Sequence, residues 1–172
     1  MKRYILLIVL SVCISQTFAQ RVEIYYDDPV SRIVDVPVYL FQRYCPSENV
    51  IKIDDDSFAN YLNTKISTFN NDTNNHDNPL YERMPYAMIQ IIYIESDYEY
   101  HIINMSHSTT AETLDKKNGY LIVDGQNKVF DKSFQTIIDQ IVNYHIKYPR
   151  KTINIQYILN GGKYNIDPYL PK

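Results

Sequence analysis

The chain has 172 residues, of which 45% are hydrophobic and 22% charged, and its formal net charge at pH 7 is −3. The hydrophobic fraction is too high for an intrinsically disordered protein, and the 4 glycines are too few for a collagen-like repeat. The 2 cysteines exclude both a disulfide framework and a four-cysteine zinc site.

The first residues, 1–19, have the pattern of a secretory signal peptide. Lys2 and Arg3 form a positively charged start, an apolar run covers residues 4–12, and Ala19 is a small residue at the expected cleavage point. This apolar run is shorter than the roughly 20 residues that span a bilayer. The sequence therefore predicts export to the periplasm or the exterior, with no transmembrane segment. A lipoprotein anchored at Cys13 is a minor alternative, because the residue before that cysteine is a bulky valine.

Cleavage after Ala19 predicts a mature single domain of residues 20–172 and, by removing two cations, changes the formal net charge to −5. An acidic domain with scattered cations argues against nucleic acid as a partner. The end of the leader, Thr17-Phe18-Ala19-Gln20, and a mature chain rich in Ile, Asn, Lys and Tyr resemble small uncharacterised exported proteins of Bacteroidales. The resemblance implies an exported location and carries no activity or site residue.

Short strands and one helix are predicted in the first half of the mature chain. Apolar, β-branched or alternating patterns predict strands at residues 22–26, 33–41 and 50–53. The second of these contains Pro37, which restricts it to a sheet edge or a bulge. The aspartate run 54–56 precedes apolar residues at helical spacing, which predicts a capped helix near 56–68. An asparagine-rich surface loop is predicted at 70–79.

The second half is predicted to contain most of the sheet and the longest helix. Further strands are predicted at residues 87–94, 98–105, 120–123, 128–130, 152–159 and 163–166, the first of them buried on both faces. Residues 133–147 have an apolar stripe at helical spacing, with Asp131 or Ser133 as the N-cap. The predicted fold class is therefore α+β: a mainly antiparallel sheet of about eight strands, with two main helices covering one face.

Candidate catalytic residues are few. The sequence contains no phosphate-binding loop, nucleophile elbow, His-Glu-x-x-His or Cys-x-x-Cys motif. His101 and His107 lie close together in the sequence, and Cys45 is the remaining cysteine of the mature chain, so a Cys45/His101 pair or a histidine pair is the best catalytic candidate. Burial of Cys45 as a structural residue is the simpler interpretation.

No metal ion or other cofactor is predicted. The acidic run at 54–56 could in principle bind calcium, but calcium loops place carboxylates at alternate positions and add a glycine and a distal glutamate. None of these features follows the run. Helix capping is the better explanation of these aspartates.

Tyrosine is the one residue type in excess, with 17 in the chain. Exposed tyrosines form amphipathic surfaces suited to protein or sugar partners. The candidate binding residues are Tyr98, Tyr100, Tyr157 and Tyr164. The sequence thus favours an exported, non-enzymatic domain that binds a protein or glycan. Two alternatives are a small hydrolase-like enzyme that uses His101, His107 or Cys45, and a structural or assembly protein; the oligomeric state stays open.

Overall fold

The structure is a computed structural model that describes residues 20–26, 41–73, 88–96, 99–106 and 120–166. The predicted leader, most of the strand predicted at 33–41, most of the loop at 70–79, and the candidate residues Tyr98 and His107 lie outside the described residues. Within the described ranges, no helix combines the length and apolar character needed to cross a bilayer.

The described strands form one antiparallel sheet with the order β2-β1-β3-β4-β5-β6. They are β1 (Arg21–Tyr26), β2 (Val50–Ile53), β3 (Met88–Ile94), β4 (Tyr100–Ser106), β5 (Leu121–Val123) and β6 (Gln126–Lys128). The order makes β2 and β6 the edge strands and places β3 near the centre. This confirms the predicted α+β class with an antiparallel sheet.

Four α-helices accompany the sheet in the described ranges. They are α1 (Phe41–Tyr44), α2 (Asp56–Thr68), α3 (Lys132–Lys147) and α4 (Ile155–Leu159), with a 3-10 helix at Ser47–Asn49. The two long helices begin where the sequence indicates, because Asp55 accepts a hydrogen bond from the Phe58 backbone N–H and Asp131 accepts one from the Phe134 N–H. The helices predicted near 56–68 and 133–147 are therefore confirmed.

The core lies between the helices and one face of the sheet. Ile24, Ile91 and Ile103 lie opposite one another on neighbouring strands, and all three side chains are fully buried. The helices cover this face with a single apolar cluster that includes Phe58, Leu62, Phe134, Ile138, Ile141 and Val142. The prediction that the two main helices cover one face of the sheet therefore holds, whereas Gln42 of α1 borders the outer face.

The outer face of the central strands is also buried. Gln90 Nε2 donates a hydrogen bond of 2.8 Å to Asn104 Oδ1, and each of these residues is only 2% exposed. Ile92, on the same face, is 8% exposed. This confirms the prediction that the strand at 87–94 is buried on both faces.

Two of the predicted strands are wrong. The described residues contain six strands, and the segment predicted as a strand at 152–159 forms α4. The Asn154 side chain accepts a hydrogen bond from the Tyr157 backbone N–H, which caps the helix, and Ile155 and Ile158 are buried on one helical face. The segment at 163–166, also predicted as a strand, is irregular and pairs with no strand of the described residues. Phe41 begins α1 and does not end a strand.

The hairpin between β5 and β6 turns at Asp124 and Gly125, so β6 begins two residues before the strand predicted at 128–130. Asp124 and Gly125 both have positive φ, 50° and 76°, as the two central residues of a type I′ turn require. The Asp124 carboxylate accepts hydrogen bonds from the Ile102 N–H and from His101, which ties this turn to β4.

Candidate functional site

The candidate site begins with a groove along the free edge of β2. Residues 50–55 form one wall and residues 149–153 form the other, and Ile141, Tyr144, His145 and Ile155 complete the lining. The groove has a volume of about 410 Å³, which lies within the usual range of ligand sites. We call it the edge groove.

The strand order explains why the β2 backbone faces this groove. β2 pairs with β1 on one side, and among the described residues no strand or backbone hydrogen bond occupies its other side. In an antiparallel pair, alternate residues direct their N–H and C=O groups toward the partner strand and away from it. Two of the four residues of β2 therefore direct both backbone groups into the groove.

His145 contributes an uncharged polar group to the groove. Its Nδ1 lies 2.9 Å from the Tyr26 hydroxyl, and the two rings meet edge to face with their centroids 5.9 Å apart. Burial lowers the pKa of His145 because the imidazolium form loses hydration. The imidazole ring of His145, at the C-terminal end of α3, is therefore neutral at neutral pH and packs against Tyr26.

We expect His145 to titrate below its ordinary pKa of 6.5 in the folded protein. Because the folded state disfavours its charged form, this residue's contribution to stability is complete above pH 6.5 and is lost as the pH falls through the folded pKa. A proton NMR titration of the imidazole, with the urea-unfolded protein as reference, measures the difference. In Tyr26→Phe the pKa should stay below 6.5, because burial of the ring is what lowers it. A folded-state midpoint at or above 6.5 would contradict this expectation.

A tyrosine cluster adjoins the groove, and we define it as Tyr144, Tyr148, Tyr157 and Tyr164. The Tyr144 ring contacts those of Tyr148 and Tyr164, with centroids 5.1 Å and 4.5 Å away. Tyr157 contacts Tyr164 at 5.1 Å. The four rings form one continuous chain of contacts, and Tyr144 is also part of the groove lining.

The cluster is fixed by the turn that follows α4. The Tyr157 hydroxyl donates a hydrogen bond of 3.1 Å to the Lys163 carbonyl, and the Tyr164 hydroxyl accepts one from the Asn154 N–H. The Tyr157 ring also lies directly over Gly162, where a Cβ atom would be only 2.5 Å from the ring. Glycine at this position therefore allows the ring to pack against the backbone.

Cations surround the cluster and one end of the groove. The Lys151 Nζ lies 4.4 Å from the centroid of the Tyr148 ring, and the Lys147 Nζ lies 5.9 Å from it, both within cation–π range. Arg150, in the wall of the groove, is exposed and has no ion pair with a described residue. Although the whole chain is acidic, this surface is locally basic.

Cys45 and His101, the two candidate catalytic residues that the structure describes, do not converge. The Cys45 thiol donates weak contacts of 3.6 Å to the Tyr26 and Asn49 carbonyls, whereas His101 lies opposite Tyr93 on β4. Tyr26 is paired with Ile89, four residues along β3 from Tyr93, which corresponds to roughly 13 Å. Cys45 and His101 therefore lie toward opposite ends of the sheet, and Cys45 is only partly buried.

His101 has carboxylates on both sides of its ring. Its Nδ1 lies 2.7 Å from Asp124 Oδ2, and its Nε2 lies 4.0 Å from Glu95 Oε2. The ring stacks on Tyr93, with the centroids 6.1 Å apart. This arrangement links the β3–β4 hairpin to the β5–β6 turn. Within the described ranges, no three His, Cys, Asp or Glu side chains form a group that could hold a metal ion.

The candidate binding tyrosines fall on two surfaces. Tyr157 and Tyr164 belong to the cluster, whereas Tyr100 is 62% exposed and borders a separate 510 Å³ cavity on the outer face of the sheet. Sequence reasoning missed Tyr144 and Tyr148. Their spacing of four residues puts them on one face of a helix, and that spacing was the available signal.

Comparison with known protein families, with curated protein sequences and with solved structures finds no match to this chain.

Proposed function

We propose that this chain is an exported, non-enzymatic binding domain that contacts a protein partner through the tyrosine cluster and the edge groove. The observation that carries the proposal is the continuous contact of four tyrosine rings beside a groove whose strand edge pairs with no described residue. Tyrosine and arginine, both present in the cluster and the groove wall, are enriched among the residues that dominate protein interfaces.

The geometry of the rings favours a protein over a glycan. A sugar ring stacks on a flat aromatic face, but the rings of the cluster are tilted by 47° to 58° relative to one another and pack mainly against their neighbours. The adjoining groove also offers backbone N–H and C=O groups, which match the main chain of a protein segment. The exposed part of Tyr157 and the Lys151 side chain then form the rim of one binding surface.

Selection from a random peptide display library tests this proposal. We expect the wild-type protein to select peptides whose affinity falls about tenfold or more in Tyr148→Ala, because this substitution removes an aromatic group from the surface and leaves Lys151 without its ring. Circular dichroism and thermal unfolding would establish that the variant is folded.

The matched control is Tyr100→Ala, which removes an exposed tyrosine from the outer face of the sheet. It should leave the affinity of the selected peptides unchanged. Equal losses in the two variants, or peptides that ignore Tyr148, would contradict the proposal. Selection of glycans from a glycan array, with no peptide selected, would replace the protein partner with a sugar.

A further inference from the structure

We infer that the edge groove binds an extended segment of the partner as an additional strand antiparallel to β2, with acidic side chains in the C-terminal half of that segment. This inference rests on the proposed binding function and specifies the partner's chemistry. It is carried by the free edge of β2, by the direction of the opposite wall and by the distribution of charge along the groove.

The backbone of β2 supplies the pairing groups. Val50–Ile53 pairs with β1 over its whole length, and no backbone hydrogen bond among the described residues reaches the edge that faces the groove. The wall at 149–153 is irregular and lies across the groove without pairing with β2. An edge with unpaired N–H and C=O groups is the template for strand addition.

Two contacts give the direction of that wall. The Tyr26 hydroxyl bonds to His145, and Tyr25 is paired with Val50, so the end of α3 lies beside the beginning of β2. Gln156 bonds to the Ser57 hydroxyl at 3.1 Å, which puts the far end of the wall beside the end of β2. Residues 149–153 therefore run alongside β2 in the same direction.

The groove consequently has a positive end and a negative end. Arg150 and Lys151 lie beside the beginning of β2, whereas the exposed Asp54 follows its end. Every described pair in the sheet is antiparallel, and antiparallel pairing is slightly more stable per residue than parallel pairing. In an antiparallel guest strand the C-terminal half lies at the positive end, and acidic side chains there face Arg150 and Lys151.

A second copy of this chain fits the groove less well. Two β2 edges paired about a twofold axis would place the exposed Lys52 side chains of both copies in one short interface, beside which residues 149–153 already form a wall. The shortness of β2 and the exposed Lys52 are also features that discourage edge-to-edge pairing of identical chains. A partner segment with its own charge pattern meets neither obstacle.

Two designed peptides of about eight residues test the inference. Both alternate Thr and Val and contain two glutamates, which lie in the C-terminal half of the first peptide and in the N-terminal half of the second. We expect the first to bind about tenfold more tightly by fluorescence anisotropy. In Arg150→Glu this preference should disappear or reverse, whereas the matched variant Arg43→Glu, which changes an exposed arginine on α1, should preserve it.

N-methylation of the first peptide tests strand pairing directly. Methylation of the amides at one alternating set of positions should abolish binding, and methylation of the other set should change it little, because alternate amides of a guest strand point toward β2. Binding that survives methylation of each of the two sets would overturn strand addition. Equal affinity of the two unmethylated peptides would overturn the proposed preference for acidic side chains in the C-terminal half.

Failure of the inference can be distinguished from failure of the proposed function. If neither designed peptide binds but display peptides still depend on Tyr148, only the inference is wrong. If the display library also yields nothing, both are wrong. A dimer in sedimentation that Arg150→Glu dissociates, with neither designed peptide bound, would assign the groove to a second copy and overturn the inference.

Discussion

Replacement of Phe134 by alanine is expected to lower the free energy of unfolding by about 3–5 kcal/mol. The side chain is fully buried between the two long helices, where its ring stacks on Tyr61 at 6.2 Å and meets Phe69 at 5.3 Å. Alanine would leave a cavity that these rings cannot fill without moving both helices. Since a domain of this size has a total stability of about 5–15 kcal/mol, urea unfolding followed by circular dichroism should show a much earlier transition.

Two variants accompany this measurement. Phe134→Leu retains most of the apolar volume and is expected to cost about 1–2 kcal/mol, so it gives a value even if the alanine variant does not fold. Val129→Ala changes a side chain that is 52% exposed and should stay within about 0.5 kcal/mol of the wild type. A loss below about 1 kcal/mol in Phe134→Ala would mean that the helices do not pack through this ring.

The long helices could be predicted because their signals are local. In α3, apolar residues recur at a helical period between a capping aspartate and Pro149, and each of these signals lies within the helix or next to it. The central strands were predictable for a similar reason, since a run of several β-branched residues favours a β-strand. For these helices and strands, the local pattern of residues was sufficient for the prediction.

The segment at 152–159 shows where local patterns become ambiguous. Ile153, Ile155 and Tyr157 alternate as in a strand, while Ile155 and Ile158 are spaced as in a helix, and eight residues are too few for either period to dominate. Asn154 decides between them, because its side chain can cap a helix start only in the folded geometry. The strand predicted at 152–159 was wrong for this reason.

The candidate site depended on contacts that sequence spacing does not contain. The edge position of β2 follows from the strand order, which is set by long-range pairing. The tyrosine cluster joins α3 to the turn after α4, and His101 meets an aspartate 23 residues later because β4 pairs with β5. The excess of tyrosine was visible in the composition, but its partition between the core, the cluster and the outer face was not.

Replacement of Asp131 by alanine is expected to lower the free energy of unfolding by about 2 kcal/mol at neutral pH, since it removes two interactions at once. Asp131 Oδ1 accepts the Phe134 N–H at 2.9 Å and so caps α3, while Oδ2 lies 2.6 Å from the Lys65 Nζ on α2. Asparagine retains the capping oxygen but not the charge. Asp131→Asn should therefore lose only the ion-pair part, about 1 kcal/mol, in the same urea titration.

The acid dependence of stability provides a sharper test of the same residue. Partial burial by itself raises the pKa of Asp131, but hydrogen bonds from Lys65, Ser133 and the Phe134 N–H outweigh it and lower the pKa from 3.8 to about 2. Because the folded pKa is below the unfolded one, the stabilisation is complete above about pH 5 and is lost as the pH falls toward 2. The difference in free energy of unfolding between wild type and Asp131→Asn should therefore shrink over that range. When both proteins also carry Lys65→Met, the difference should be small already at neutral pH. If the difference in stability between wild type and Asp131→Asn stays constant from pH 5 to pH 2, the charge of Asp131 does not stabilise the contact between α2 and α3.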